Sequence, residues 1–232
     1  MAGQEITIKA ADGSGEFMAY LATPASGSGP GIVAIQEIFG VNYGMREISD
    51  WLAGEGFVVL CPDLFWRQEP GIQLTDKTEA EWARAFELFN GFNLDKGMED
   101  IASTISAMRG LDACTGKVGT IGYCLGGRLA MASATRTDAD AAVGYYGVML
   151  PEHANETVRC PVMLHIAEKD EFVPAEQQAE IREIWGDNDL VTMHSYAGQN
   201  HAFARPDGIH YDKASAELAN GRALAFLKEK LA

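Results

Sequence analysis

The chain has 232 residues, of which 47% are hydrophobic, 22% charged and 9% aromatic. That is length and apolar content for a substantial packed core, and it excludes a disordered or fibrous chain. Against 18 Lys and Arg stand 33 Asp and Glu, a formal net charge of -15, which repels nucleic acid and anionic membranes. The four cysteines, Cys61, Cys114, Cys124 and Cys160, form no CxxC pair, so a reducing compartment is expected. The opening MAGQEITIKAADGSGEF has no basic stretch leading into an apolar one, and no run reaches the roughly eighteen apolar residues of a membrane span. A cytoplasmic protein is the expectation.

In chain order, Ile6 to Lys9 and Phe17 to Leu21 read as two strands joined by the turn-rich Asp12-Gly13-Ser14-Gly15, an antiparallel hairpin at one sheet edge. Residues Pro24 to Pro30 read as a surface loop entering the main sheet rather than a linker. Six compact apolar runs follow: Gly31 to Ile35, Phe57 to Cys61, Val118 to Gly122, Ala141 to Tyr146, Val162 to Ile166 and Leu190 to Tyr196. Such runs mark strands covered on both faces. Helical patterns alternate with them, at about Met45 to Ala53, Lys77 to Asn90, Met98 to Met108, Leu125 to Ala134, Ala175 to Ile184 and Tyr211 to Lys230. The alternation predicts one doubly wound, mostly parallel α/β domain over residues 1–232, with helices on both faces. The long connection from Leu64 to Asp76 either rims a site or tucks Phe65 and Trp66 beneath itself as core.

The most informative stretch is Gly119-Thr120-Ile121-Gly122-Tyr123-Cys124-Leu125-Gly126-Gly127-Arg128, where an apolar strand stops and a small-residue helix starts around one cysteine. It has the form of a nucleophile elbow, with glycines relieving crowding two residues before and after Cys124. The bland alternative, a buried small hydrophobe, is kept for Cys61, Cys114 and Cys160. Partners for Cys124 are sought at the carboxyl ends of later strands. Asp170 lies in Ala167-Glu168-Lys169-Asp170-Glu171-Phe172-Val173-Pro174, with Glu168 and Glu171 as competitors and an acidic helix cap as the plain alternative. His201 follows the last strand in Tyr196-Ala197-Gly198-Gln199-Asn200-His201-Ala202-Phe203. The order nucleophile, acid, histidine is that of a hydrolase sheet. His165 and His194 sit inside apolar runs and read as core or face histidines, while His153 and His210 read as surface positions. None has metal-ligand spacing.

A free thiol titrates near ~8.5 and needs a base to be a nucleophile at neutral pH. His201 would activate Cys124, Asp170 would hold the imidazole in its useful tautomer, and the thiolate would attack an ester or lactone carbonyl to give a thioester. The Leu125 N–H, with a second from the Glu37-Ile38 loop, would stabilise the oxyanion.

Over nearly its whole length the chain resembles the dienelactone hydrolases of the α/β-hydrolase superfamily. The likeness rests on Gln36 through Asn42, Cys61-Pro62-Asp63-Leu64, Gly122 through Gly127, Gly144-Tyr145-Tyr146-Gly147, Asp170 with Val173-Pro174, and Gly198 through Arg205. The resemblance implies Cys124, Asp170 and His201 as the triad, Ile38 as the second oxyanion donor, Glu37 as a carboxylate meeting the resting cysteine, and Arg205 as the binder of a substrate carboxylate. It makes Tyr145, Phe39, Phe86 and Phe89 an apolar wall, where composition alone makes them core. For Glu37 the residues alone suggest instead a surface acid or an ion-pair partner of Arg46, Arg84 or Arg128, and for Arg205 a structural ion pair stays open. Two positions depart from the family pattern: Trp82 stands where a second arginine is used, and Ala202 where serine can follow the histidine.

The leading expectation is a cofactor-free and metal-free hydrolase opening a dienelactone to maleylacetate, in aromatic-compound degradation. A carboxylesterase or thioesterase for another small ester is the alternative, and a non-catalytic ligand-binding protein a further one. The expected partner is a small ester or lactone, with or without a carboxylate, and neither nucleic acid nor a membrane; the chain is expected to act as a monomer.

Overall fold

The structure is a computed structural model and describes residues 3–232. By internal contacts the chain falls into two compact units, one ending at Val118 and the other running from Gly119 to Ala232. The sheet has eight strands, most of them parallel.

In the first unit β1 (Gln4–Lys9) and β2 (Glu16–Ala22) form the expected hairpin, with Lys9 opposite Glu16. β2 also pairs antiparallel with β4 (Val58–Pro62), and β4 pairs parallel with β3 (Gly29–Ile35), giving the order β1-β2-β4-β3. The helices are α1 (Tyr43–Gly54), α2 (Glu79–Asn90) and α3 (Leu94–Arg109). Side-chain caps set their starts. Asn42, Thr78 and Asn93 each accept from the third following N–H, satisfying a donor that has no intrahelical partner. That is why α2 begins after Thr78 rather than at Lys77, and α3 at Leu94 rather than Met98. The Glu81 carboxylate reaches back over this helix start, accepting from the Thr78 hydroxyl at 2.8 Å and from the Thr75 N–H at 2.9 Å.

The segment 64–76 is fastened at several points. The Gln36 side chain accepts from the Leu64 N–H at 3.0 Å, Asp63 accepts from Phe65 and Gly71, and Asn42 donates to the Leu74 carbonyl at 2.8 Å. Phe65 is fully buried against Phe92, and Trp66 stacks on Phe17. Of the two expectations for this segment, packing beneath the loop is the one found for these rings.

The second unit has the parallel order β5-β6-β7-β8: Cys114–Tyr123, Ala141–Tyr145, Val162–Ala167 and Val191–Tyr196. β5 starts before the expected Val118 because its first residues are exposed and polar, so apolarity does not mark them. β6 and β7 are buried throughout, whereas β8 is exposed at Thr192 and Ser195 and half-buried between them. The helices are α4 (Leu125–Arg136), α5 (Ala175–Trp185) and α6 (Lys213–Lys230). α4 is buried from Leu125 to Thr135, which accounts for its glycines, alanines and serine. Asp212 caps α6 by accepting from Ser215 at 2.8 Å, so that helix begins past Tyr211. No described helix is long and apolar enough to cross a membrane.

Two readings of single residues change. His153 is not a surface residue: it is fully buried in a short 3₁₀ turn, with its Nδ1 3.0 Å from the Glu156 carboxylate. Cys114, at the start of β5, is partly exposed, unlike Cys61 and Cys160, whose burial pushes each thiol up to about 12.

Candidate active site

The elbow follows from strand register and missing side chains. β5 and β6 end level, Tyr123 opposite Tyr145. The chain then turns sharply at Cys124, with φ 56° and ψ −114°, a strained conformation for a residue with a Cβ. Backbone bonds hold it there: the Cys124 N–H donates to the Tyr145 carbonyl at 3.0 Å, and its carbonyl accepts from Arg128 at 3.2 Å. The turn also needs empty space. A Cβ at Gly122 would stand 1.9 Å from the Gly126 carbonyl oxygen, and one at Gly127 2.6 Å from that of Tyr145. Both positions therefore demand glycine, and Cys124 is left at the amino end of α4.

Asp170 lies just beyond β7. Its Oδ1 accepts from the N–H groups of Phe172 at 2.9 Å and Val173 at 3.2 Å, which aims Oδ2 at His201 Nδ1, 2.7 Å away. Glu168 and Glu171 are exposed while Asp170 is buried, so the structure selects Asp170 among the three acids. His201 lies on the loop after β8, and that loop is tied to the Asp170 loop by Lys169 N–H donating to the Gln199 carbonyl at 2.8 Å. The rings of Tyr146 and Phe172 pack edge-on against the imidazole, each with its centroid 4.9 Å away.

Two opposing effects act on His201. Burial disfavours its cation, but Cys124 beside the ring and the Asp170 carboxylate outweigh that, raising the imidazole from the usual 6.5 to about 10. Nε2 makes no hydrogen bond of good geometry, yet Cys124 acts on the ring both electrostatically and as a side-chain hydrogen-bond partner. Resting sites often tighten such a bond only with substrate present.

The other expected site residues lie as follows. Glu37, Ile38 and Phe39 are buried in the loop after β3. Phe39 meets Trp82 edge-on at 5.1 Å and Trp82 stacks on Phe86 at 5.5 Å; the Trp82 indole donates to the Asp76 carbonyl at 3.0 Å. Phe86 is 38% exposed and Phe89 half-buried, so these two are not core. The Tyr145 ring is fully buried, stacked on Tyr123 and beside His165, with its hydroxyl donating to Asn220 at 3.0 Å; that is the core placement composition suggested. Arg205 is buried on the loop after His201. The arginines weighed as partners of Glu37 pair as follows: Arg46 with Glu5, Arg84 with Glu69 and Glu87, Arg128 with Glu152. Tyr146 and Phe172 were not foreseen. Both are immediate neighbours of strand-end or acid-loop positions, and that adjacency is the signal that could have found them.

Residues 17–231 match the model of the dienelactone hydrolase family. The chain belongs to that family. A relative from Azospirillum brasilense is 48% identical over 231 residues, covering 98% of this chain and 99% of its own. A carboxymethylenebutenolidase from Pseudomonas putida is 40% identical over 229 residues, covering 98% and 97%. In fold, a candidate dienelactone hydrolase from Klebsiella pneumoniae superposes with a TM-score of 0.85 at 23% identity, covering 98% of this chain and 99% of that one. The architecture is the α/β-hydrolase fold, and the enzyme class is that of carboxylic ester hydrolases.

Proposed function

We propose that this dienelactone hydrolase family member opens the lactone of a dienelactone, 4-carboxymethylenebut-2-en-4-olide, through Cys124, His201 and Asp170. The 2.7 Å bond between Asp170 and His201 Nδ1, with Cys124 beside the same ring, carries the reading. Cys124 gives its thiol proton to His201 as the sulfur adds to the lactone carbonyl carbon, the ring C–O bond breaks, and the released enolate oxygen takes that proton from His201. A thioester on Cys124 results. His201 then takes a proton from water as the hydroxide adds to the thioester carbonyl, and the thiolate leaves, giving maleylacetate after the enol tautomerises. Each tetrahedral oxyanion is assigned to the Leu125 N–H, which stands at the first position of α4 without an intrahelical acceptor, and to the Ile38 N–H. Glu37 is assigned the acceptor role for the hydrogen of the resting thiol, and Arg205 the substrate carboxylate.

One observation favours a second ester class. Trp82 is packed with Phe39 and Phe86 in an aromatic group, and Arg84 on the same helix is engaged by Glu69 and Glu87, so α2 carries an apolar group at the position where the family resemblance implies a second arginine. A neutral small ester suits an apolar group there. Turnover of the dienelactone and of neutral aryl esters by wild type, Cys124→Ala and Trp82→Arg separates the two. The proposal expects no turnover by Cys124→Ala and a gain on the carboxylated lactone in Trp82→Arg. Substrate charge having no effect in either wild type or Trp82→Arg would remove the carboxylate-reading role.

A further inference from the structure

The bond between Asp170 and His201 depends on a loop whose two ends meet at one side chain outside the triad. Gln178, one turn into α5, is 4% exposed. Its Nε2 donates to the carbonyl of Ala167 at 3.1 Å and to that of Val173 at 2.8 Å, with the Glu168 carbonyl 3.4 Å away. Ala167 is the last residue of β7 and Val173 closes the acid loop, so one amide staples both stems around Asp170. The staple continues into the site. The Val173 N–H is one of the two donors that turn the Asp170 carboxylate, and the other comes from Phe172, whose ring packs on His201.

We propose that Gln178 is a positioning residue for the reaction: by donating to the carbonyls on either side of Asp170 it fixes the acid loop, and through that loop the orientation of the His201 imidazole. This rests on the reading of Cys124, Asp170 and His201 as the catalytic unit. The geometry explains why an amide is needed. Two N–H groups on one nitrogen reach two carbonyls of buried residues, Ala167 and Val173; a carboxylate would present only acceptors to them, and an aliphatic side chain would withdraw both donors. Displacement of the loop by about an ångström lengthens a charge-assisted bond that holds the catalytic base, and misplacement on that scale costs on the order of 10²-fold in rate.

The test compares wild type, Gln178→Leu and Gln178→Glu, each shown to be folded at the assay temperature, by ester turnover and by proton NMR of the His201 ring. In Gln178→Leu, kcat should fall about 10²-fold with KM within about twofold, the low-field Nδ1 proton shared with Asp170 should disappear, and His201 should titrate lower than in wild type. Gln178→Glu should recover part of kcat at acidic pH, where its carboxyl keeps a proton to donate, and lose it as pH rises. A folded Gln178→Leu with a wild-type low-field signal and kcat would overturn the proposal. Should that variant not fold, a Gln178→Glu pH profile superimposable on wild type would do so instead. If wild type turned over no ester at all, the hydrolase reading would fail, while the NMR comparison would still decide what Gln178 holds.

Discussion

Two buried histidines in the second unit have nearly the same bonding and opposite chemistry. His201 and His165 each have Nδ1 2.7 Å from an oxygen, each have an Nε2 without a hydrogen bond of good geometry, and each lie among aromatic rings. For His201 the oxygen belongs to the Asp170 carboxylate and Cys124 stands beside the ring. For His165 it belongs to the Tyr196 phenol, with His194 and Arg222 nearby, so burial and those groups push it well below 6.5. The same imidazole is thus held ready to be a cation in one place and kept neutral in the other. Burial and hydrogen-bond length do not decide between them; the charge of the partner does.

The sharpest way to break that contrast is Asp170→Asn, which keeps the shape and removes the charge. Turnover should fall on the order of 10³ to 10⁴-fold, and the His201 titration should drop; unchanged titration would show that Asp170 does not set it. The matching change at the other histidine is Tyr196→Phe. It leaves His165 Nδ1 without its partner and should cost about 1–3 kcal/mol of stability in urea unfolding, while kcat stays within about twofold. A large loss of kcat in a stable Tyr196→Phe protein would mean that the two histidines are coupled. The smallest effect is in pH. Because folded His165 titrates below its unfolded value of about 6.5, the unfolded chain binds the extra proton, and stability should fall as pH drops through that value by up to about 1.4 kcal/mol per unit. His165→Gln should lose this part of the acid sensitivity, measured as the shift of the urea midpoint between about pH 7 and pH 5.5.

Much of this arrangement is legible in the chain because it is local. Gly122 and Gly126 mark the elbow in the sequence, the close approach at Gly127 adds a third required glycine, and Asp170 and His201 follow the ends of strands that apolar runs identify. Phe172 and Gln178 escape because what they do is set by tertiary folding. Gln178 lies in line with Ile181 and Trp185 on the buried face of α5, but which carbonyls its amide meets is set only when the acid loop folds, and Phe172 looks like a core residue until its loop carries it to His201. His153 was misjudged for the same reason, since its burial depends on Glu156 and Arg128 meeting around it. The start of β5 is not legible because Thr115 to Lys117 are exposed and form no apolar run.

The central claim is that Cys124 is the nucleophile of a unit with His201 and Asp170. The most direct measurement is intact-mass analysis, with peptide mapping, of the protein mixed rapidly with a reactive ester. The account predicts a transient acyl adduct on Cys124 in wild type that persists longer in His201→Ala, and neither adduct nor turnover in Cys124→Ala. Turnover surviving in Cys124→Ala, or an adduct mapping to another residue, would contradict it.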